Sequence, residues 1–506
     1  MKKGTLILIS FIIVKLVLQF ILVNPVYDLH RDEYLHLDMA RHLSPGYISV
    51  PPFTSWIAFI IYMLGNGVFW VRFFPLLFGV FTIILCWNMV SELGGKLYAQ
   101  VLCCLAILLS VILRLNLLFQ PNSFDVFFWT LTYFTIVKYI NTRNAKWLLW
   151  TGVSIGLGLL SKYNIIFLVL GVLPALVLTE HIRVFKTRYF YLSLLIAFLI
   201  VLPNLYWQYS NHFPTVYQLQ ELARTQLVHV ERFILLKEQI LYFASSFFII
   251  IAAFISFFTH GSFHKYRIFF WSYLISMLLY LLFRAKSYYT IGLYPILLVF
   301  GSVYIENVLV KGFKKYLRVV AIAVLLILSA PLILLAFPYQ KPEQIARDGK
   351  KYQQFGLLRW EDGKNHLLPQ DFADMQGWSE LAQKVDSTYG SLDDKEHTIV
   401  LCDNYGQAGA INYYSRYPNI SAVSFNADYI YWMNMNKNYT NAILVKDIYD
   451  RDSLRTEETP LFDTVIQTGH IENPYARETG TRIFLLKGAR VNIKERLSKE
   501  RQERLP

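Results

Sequence analysis

The chain has 506 residues, of which 55% are hydrophobic and 16% aromatic, and its mean hydropathy is +0.38. Apolar runs of about 18 residues or more recur, and about 20 helical residues cross the hydrocarbon core of a bilayer, so a soluble globular protein is excluded. The formal net charge of +13 would suggest nucleic-acid binding in a soluble protein. In a membrane protein it reads as basic loops on the cytoplasmic side, and no nucleic-acid partner is expected.

The start, Met1-Lys2-Lys3 before an apolar run over 6–23, has the charge and hydrophobicity of a signal peptide. No small-residue cleavage site follows, so it is read as a retained first span. About eleven spans are predicted, near 5–26, 68–90, 97–113, 124–140, 147–160, 163–179, 190–206, 239–259, 268–283, 288–308 and 317–338. With Lys2 and Lys3 inside, the inner loops fall at 91–98, 138–146, 181–188, 260–267 and 311–318. Each carries lysine or arginine: Lys96; Lys138, Arg143 and Lys146; Arg183, Lys186 and Arg188; Lys265 and Arg267; Lys311, Lys314, Lys315 and Arg318. This is the positive-inside pattern. After Pro338 the sequence turns polar. Strands are expected at Thr398–Cys402, Ala442–Val445 and Arg482–Leu486, a helix at Trp378–Val385, and a charged, solvated tail over 490–506. The fold class is therefore mainly α: a polytopic transmembrane helix bundle over 1–339, with a first outer loop at 27–66, and a small α/β domain over 340–506, extracytoplasmic because the span count is odd. Cys86, Cys103 and Cys104 lie in apolar runs and Cys402 in a polar one, a spacing that gives neither a disulfide framework nor a zinc site.

Ionisable residues at the outer ends of the spans break the pattern and carry the functional signal, because charge at membrane depth is costly and marks a site. The first outer loop contains Asp28, His30, Arg31, Asp32, Glu33 and His36. Leu35, Met39 and Leu43 recur there at helical spacing, which predicts an interfacial amphipathic helix with Asp32 and His36 on one face and Glu33 elsewhere. The simpler reading makes Asp32 and Glu33 first-turn acids favoured by the helix dipole. Asp125 begins the fourth span, Lys162 sits between the fifth and sixth, and Arg284 and Lys286 close the ninth. A phosphate ligand would explain these cations; the alternative is long side chains snorkelling to the interface, with Tyr288 and Tyr289 as belt aromatics. His212 stands in an outer loop as a candidate metal or substrate contact. Tyr405-Gly406-Gln407-Ala408-Gly409 follows a predicted strand but lacks the spacing of a phosphate loop, and is read as a strand-to-helix turn.

The Asp32-Glu33 pair after the first span, the amphipathic helix, Gly46-Tyr47 and Pro51-Pro52 resemble the first loop of the dolichyl-phosphate-mannose–protein mannosyltransferase superfamily, whose bacterial branch includes aminoarabinose transferases that modify lipid A. The resemblance continues at Phe124-Asp125-Val126-Phe127-Phe128-Trp129, Gly158-Leu159-Leu160-Ser161-Lys162-Tyr163, Lys286-Ser287-Tyr288-Tyr289 and Tyr294-Pro295. It covers about the first 340 residues. It implies a GT-C fold in the bacterial inner membrane and a periplasm-facing glycosyltransferase. The donor would be a polyprenyl-phosphate sugar and the acceptor a lipid, glycan or protein. On that resemblance Asp32 is the catalytic base, with Glu33 tuning it or positioning the acceptor. Asp125 is a second acid, orienting the acceptor or helping to hold a metal. Lys162, Arg284 and Lys286 bind the donor phosphate, and Arg31, His36, Tyr288, Tyr289 and His212 contact substrate. Whether a divalent metal takes part is open.

Two other classes compete. A lipid flippase or transporter would also carry many spans and intramembrane charge, but tends to show internal repeats and broken mid-membrane helices, neither of which is apparent. A structural or assembly protein acting through its soluble domain leaves the outer-face acids and bases without a role.

Overall fold

The computed structural model describes residues 3–225, 232–310 and 312–505. Lys2 and Lys311, two of the basic residues assigned to the inner side, lie outside the described residues. The chain folds as two compact units. The first comprises Met1–Leu22, Val50–Thr54 and Phe69–Phe337; the second comprises Val23–Ser49, Ser55–Val68 and Pro338–Pro506. The first outer loop thus packs with the C-terminal residues.

In chain order the helices of the N-terminal two thirds are α1 (Lys3–Ile21), α2 (Arg31–Asp38), α3 (Phe53–Met63), α4 (Val68–Glu92), α5 (Leu97–Leu108), α6 (Val111–Leu115), α7 (Pro121–Thr142), α8 (Lys146–Ser161) and α9 (Ile166–Val177). They continue with α10 (Arg188–Ser210), α11 (Pro214–Thr225), α12 (Arg232–Tyr242), α13 (Phe247–Thr259), α14 (Arg267–Leu282), α15 (Tyr294–Val308) and α16 (Leu317–Ala336). A helix stands at each predicted span. Among the described residues, five helices are long and apolar enough to cross a membrane, or seven if each of two bent pairs is one span. The shortfall from eleven has a local cause in the third predicted span, where Leu109–Ser110 divides a 12-residue α5 from α6. Likewise α12 meets α13 at a 69° bend.

In the first unit the helices meet through small and hydroxylated residues, as membrane helices do when lipid offers no hydrophobic contrast. A Cβ on Gly301 of α15 would lie 1.9 Å from the Ile249 carbonyl of α13. The Thr132 and Ser154 hydroxyls bond at 2.7 Å between α7 and α8, and those of Thr135 and Thr151 at 2.9 Å.

The second unit has a five-stranded sheet of order β2-β1-β3-β5-β4, with β1 (Thr398–Cys402), β2 (Ala422–Ser424), β3 (Asn441–Lys446), β4 (Phe462–His470) and β5 (Arg482–Ala489). β1 pairs in parallel with β2 and β3, and β5 runs antiparallel to β3 and β4. β3 is buried over five successive residues, the continuous apolar run of a strand covered on both faces. Its helices are α17 (Pro342–Arg347), α18 (Gly349–Gln354), α19 (Gln370–Ala373), α20 (Trp378–Gly390), α21 (Tyr405–Tyr414), α22 (Tyr429–Trp432) and α23 (Ile493–Arg504). The predicted strands are present. The tail is helical, as α23, but it is anchored: Ile493 and Leu497 join the core formed by Ile399, Leu444 and Phe484.

The first loop is stapled into this unit by backbone and carboxylate bonds. Asp28 Oδ2 accepts from the backbone N–H of Trp378 and Ser379, at 3.0 and 3.2 Å, at the start of α20. Asp428 accepts from Ile48 N–H at 2.6 Å and from Ser49. The Tyr413 hydroxyl donates to the Asn66 carbonyl at 2.9 Å.

Candidate active site

The sequence candidates fall into two groups, one in each unit. In the second unit α2 opens on a reciprocal cap. His30 Nδ1 accepts from Asp32 N–H at 3.2 Å, and Glu33 Oε2 accepts from His30 N–H at 2.7 Å, which satisfies two orphan donors of the first turn. Glu33 is fully buried, so the cap occupies it, while Asp32 keeps 38% of its side chain exposed. The Tyr405 hydroxyl, at the start of α21, donates to Asp32 Oδ1 at 2.7 Å. Burial raises the Asp32 carboxyl, but the nearby His30, the bond from Tyr405, Arg31 and His36 outweigh it and hold the group below its ordinary value. Asp32 is therefore an ionised, partly open carboxylate. His36, one turn on, is buried and pushed down to about 4 by that burial, so it is neutral at physiological pH.

Arg31 lies with its guanidinium 4.5 Å from the centre of the Tyr405 ring, and its backbone N–H donates to the Asp374 carbonyl at 3.0 Å. Asp374, buried, accepts from the single Nη1 of Arg477 with both carboxylate oxygens, at 3.0 and 3.2 Å. The glycines noted in the sequence make this arrangement fit. A Cβ on Gly406 would stand 2.6 Å from Arg31 Cγ, and one on Gly409 would stand 2.6 Å from Tyr34 Cβ. Gly406 and Gly409 let α21 press against α2; Asn404 Oδ1 caps that helix by accepting from Gly406 and Gln407 N–H at 3.0 and 3.1 Å. The segment is the strand-to-helix turn expected. Leu35 and Met39 are buried in this unit and Leu43 is half exposed.

In the first unit Asp125 is the fifth residue of α7 and is buried. Its Oδ1 accepts from the Trp129 indole N–H at 3.0 Å, and its Oδ2 from Asn164 Nδ2 at 2.8 Å. Asn164 also donates to the Tyr289 carbonyl at 2.9 Å and accepts from the Tyr280 hydroxyl at 2.9 Å. Lys162, at the break between α8 and the turn before α9, donates to Asn122 Oδ1 at 2.8 Å. Its ammonium lies 4.1 Å from the centre of the Tyr289 ring and 5.0 Å from that of Tyr288. Partly buried, it has no carboxylate within 4 Å among the described residues, and Asp125 and, less strongly, Lys286 are near enough for their charges to act on it. Structure thus gathers Asp125, Lys162, Tyr288, Tyr289 and Lys286. Arg284 is exposed, with a left-handed φ of 50°, and His212 is exposed with a φ of 60°. Among the described residues, no group of three or more His, Cys, Asp or Glu could hold a metal ion.

Sequence reasoning passed over Asn122, Asn164 and Tyr280 on one side, and Tyr405, Asp374 and Arg477 on the other. Asn122 and Asn164 were the accessible ones: each is an amide within a few residues of a charged outer-end position. Tyr405, which bonds to Asp32, lies 373 positions away in sequence and had no local signal.

Residues 49–207 match the family model described as dolichyl-phosphate-mannose-protein mannosyltransferase. A lipid A galacturonosyltransferase, RgtD, from Rhizobium johnstonii is 25% identical over 225 residues, which are 44% of this chain and 46% of that protein. The match thus spans less than half the length of that relative. ArnT from Cupriavidus metallidurans, solved bound to undecaprenyl phosphate, superposes with a TM-score of 0.64 at 13% identity, covering 96% of this chain and 98% of that one. The oligosaccharyltransferase of Archaeoglobus fulgidus superposes with a TM-score of 0.51 at 12% identity, over 86% of this chain and 68% of that one. The fold is that of the GT-C membrane transferases, as the sequence resemblance implied.

Proposed function

We propose that this membrane protein is a glycosyltransferase that moves a sugar from a polyprenyl-phosphate donor to an acceptor hydroxyl on the periplasmic face of the bacterial inner membrane. The observation that carries the reading is Lys162: an ammonium in a helix break, ringed by two tyrosines, with no carboxylate within 4 Å among the described residues and with the charges of Asp125 and Lys286 both close enough to act on it. Such a site is built for an anion. The solved relative ArnT holds undecaprenyl phosphate, and the galacturonosyltransferase acts on lipid A by its name; both favour a lipid phosphate donor and an envelope acceptor.

The chemistry divides as follows. The acceptor hydroxyl loses its proton to Asp32, and the acceptor oxygen bonds to the anomeric carbon. The bond from that carbon to the phosphate oxygen breaks, and its electron pair stays on the phosphate. Asp32 is ionised and open enough to take the proton, and Tyr405 fixes its orientation. Lys162 and Lys286 meet the charge that grows on the leaving phosphate. Asp125, locked by Trp129 and Asn164, ties α7 to the Asn164–Tyr289 segment and so positions Lys162 with Tyr289. Glu33 supports Asp32 by holding the start of α2. Arg284 and His212 are more exposed and would contact substrate only at its periphery.

Mass spectrometry of envelope lipids and glycoproteins from a deletion strain tests the function. Loss of one sugar from one class of molecule, with its polyprenyl-phosphate precursor accumulating, is the expected result. An unchanged envelope inventory, with that precursor redistributed between leaflets, is the transporter's signature.

A further inference from the structure

The second unit holds a crevice that transfer by Asp32 does not itself use. Its volume is about 190 Å³, room for a single sugar-sized ring. It opens at the carboxyl ends of β1 and β3, between Asn404, which follows β1, and Asp447 and Tyr449, which follow β3. From β1 the chain goes through α21 to β2 on one side, then returns to β3 on the other. The crevice therefore lies where the strand order reverses, the place at which open α/β sheets bind ligands.

The lining has a consistent chemistry. Trp360 supplies a fixed aromatic face: its ring stacks on His366 at 3.6 Å, and its indole N–H donates to the Leu368 carbonyl at 2.8 Å. Asp447 receives Tyr449 and Asp450 N–H on one carboxylate oxygen, at 2.8 and 3.1 Å, and its other oxygen accepts no bond from a described residue. Arg31 lines the same crevice, although its Nε–H is buried on the side of Gly406. A hydroxyl donates as well as accepts, so a ring bearing several hydroxyls gives the open oxygen of Asp447 a donor while its C–H face lies on Trp360. The wall carries four carboxylates, Glu361, Asp362, Asp447 and Glu478, against two guanidiniums, Arg31 and Arg477, and Arg477 is already bonded to Asp374 through Nη1. An anionic ligand is disfavoured there.

We propose that this crevice is a sugar subsite that holds one uncharged, polyhydroxylated ring of the acceptor. Its assignment to the acceptor rests on the proposed role of Asp32. Arg31 and Asn404, which line the crevice, are the residues before Asp32 and before the tyrosine bonded to it, so the crevice borders the two segments that carry the proposed base.

The test is saturation-transfer NMR on the full-length protein in detergent, with the methyl glycosides of glucose, galactose, mannose and N-acetylglucosamine, and with methyl glucuronide and galacturonide. At least one neutral glycoside should receive saturation. Its signal should fall threefold or more in Trp360→Ala and in Tyr449→Ala; Tyr449 is 77% exposed, so that variant keeps the fold. The uronides should compete weakly. No transfer to any neutral glycoside, signals unchanged in both variants, or uronides binding more tightly than neutral sugars would each overturn the proposal. Asp32→Asn separates the two readings, because it should bind the glycoside normally while losing transfer. Wild-type binding without any transferase activity leaves the subsite standing and removes the proposed function; transfer without glycoside binding does the reverse.

Discussion

Replacing Lys162 with methionine removes the ammonium but keeps an unbranched stem against Tyr288 and Tyr289, so the loss it reports is charge rather than packing. The side chain donates one hydrogen bond to Asn122 at 2.8 Å and meets no carboxylate within 4 Å among the described residues, which leaves it donors for a phosphate. A hydrogen bond to a charged group is worth roughly 1.5–3 kcal/mol; at about 1.36 kcal/mol per decade of rate, kcat/KM should fall about 10- to 150-fold. Because the phosphate gains charge as its bond to the sugar breaks, kcat should fall by more than KM rises. Asn122→Ala leaves the ammonium present but unanchored. Its loss should be smaller than that of Lys162→Met, because the charge that meets the phosphate remains. The assay is transfer rate against the concentration of a short-chain polyprenyl-phosphate sugar in detergent. Wild-type kinetics in Lys162→Met, alongside an inactive Asp32→Asn, would refute the phosphate assignment and move it to Arg284.

Other outcomes follow from the same geometry. Asp32→Asn should lower turnover about a hundredfold or more with donor binding intact, the scale of a positioned general base; near-normal turnover would assign the base elsewhere. Tyr405→Phe removes a bond that lowers the Asp32 carboxyl, so the acid limb of the pH–rate profile should move to higher pH, and an unmoved limb would detach Asp32 from the rate. Gly409→Ala forces a Cβ to 2.6 Å from Tyr34 Cβ and 3.0 Å from its backbone carbon; it should destabilise the protein by about 1–3 kcal/mol, seen as a lower Tm in detergent. Lys15 of α1 is buried and donates to Asn116 Oδ1 at 2.8 Å, so Asn116→Ala should cost more stability than the pair Lys15→Met with Asn116→Leu, because only the single change leaves a buried cation unpartnered. A periplasm-active reporter fused after Tyr339 should be active; a cytoplasmic reading would reverse the assigned face.

The membrane helices were legible because each rests on a local apolar run, and α1, α10 and α16 stand where such runs fall. Breaks were harder to read: Leu109–Ser110 interrupts a run that composition alone continues. In the sheet, β1, β3 and β5 carry apolar runs and were visible. β2 has three residues, and β4 buries only Phe462 of its nine, so neither leaves a pattern of its own. The acids and cations at the span ends were readable as costly charge, but their partners were not. Asp32 meets Tyr405 across 373 positions, a pairing set by two glycines whose purpose appears only once Arg31 and Tyr34 lie against them.

Group transfer is separated from transport most directly by incubating the purified protein with a polyprenyl-phosphate sugar radiolabelled in the sugar and an extract of envelope acceptors. Glycosyl transfer predicts that label passes to the acceptor while free polyprenyl phosphate appears in equal amount, and that Asp32→Asn and Lys162→Met suppress both. An intact donor, with label changing leaflets in proteoliposomes but never its chemical linkage, would contradict it.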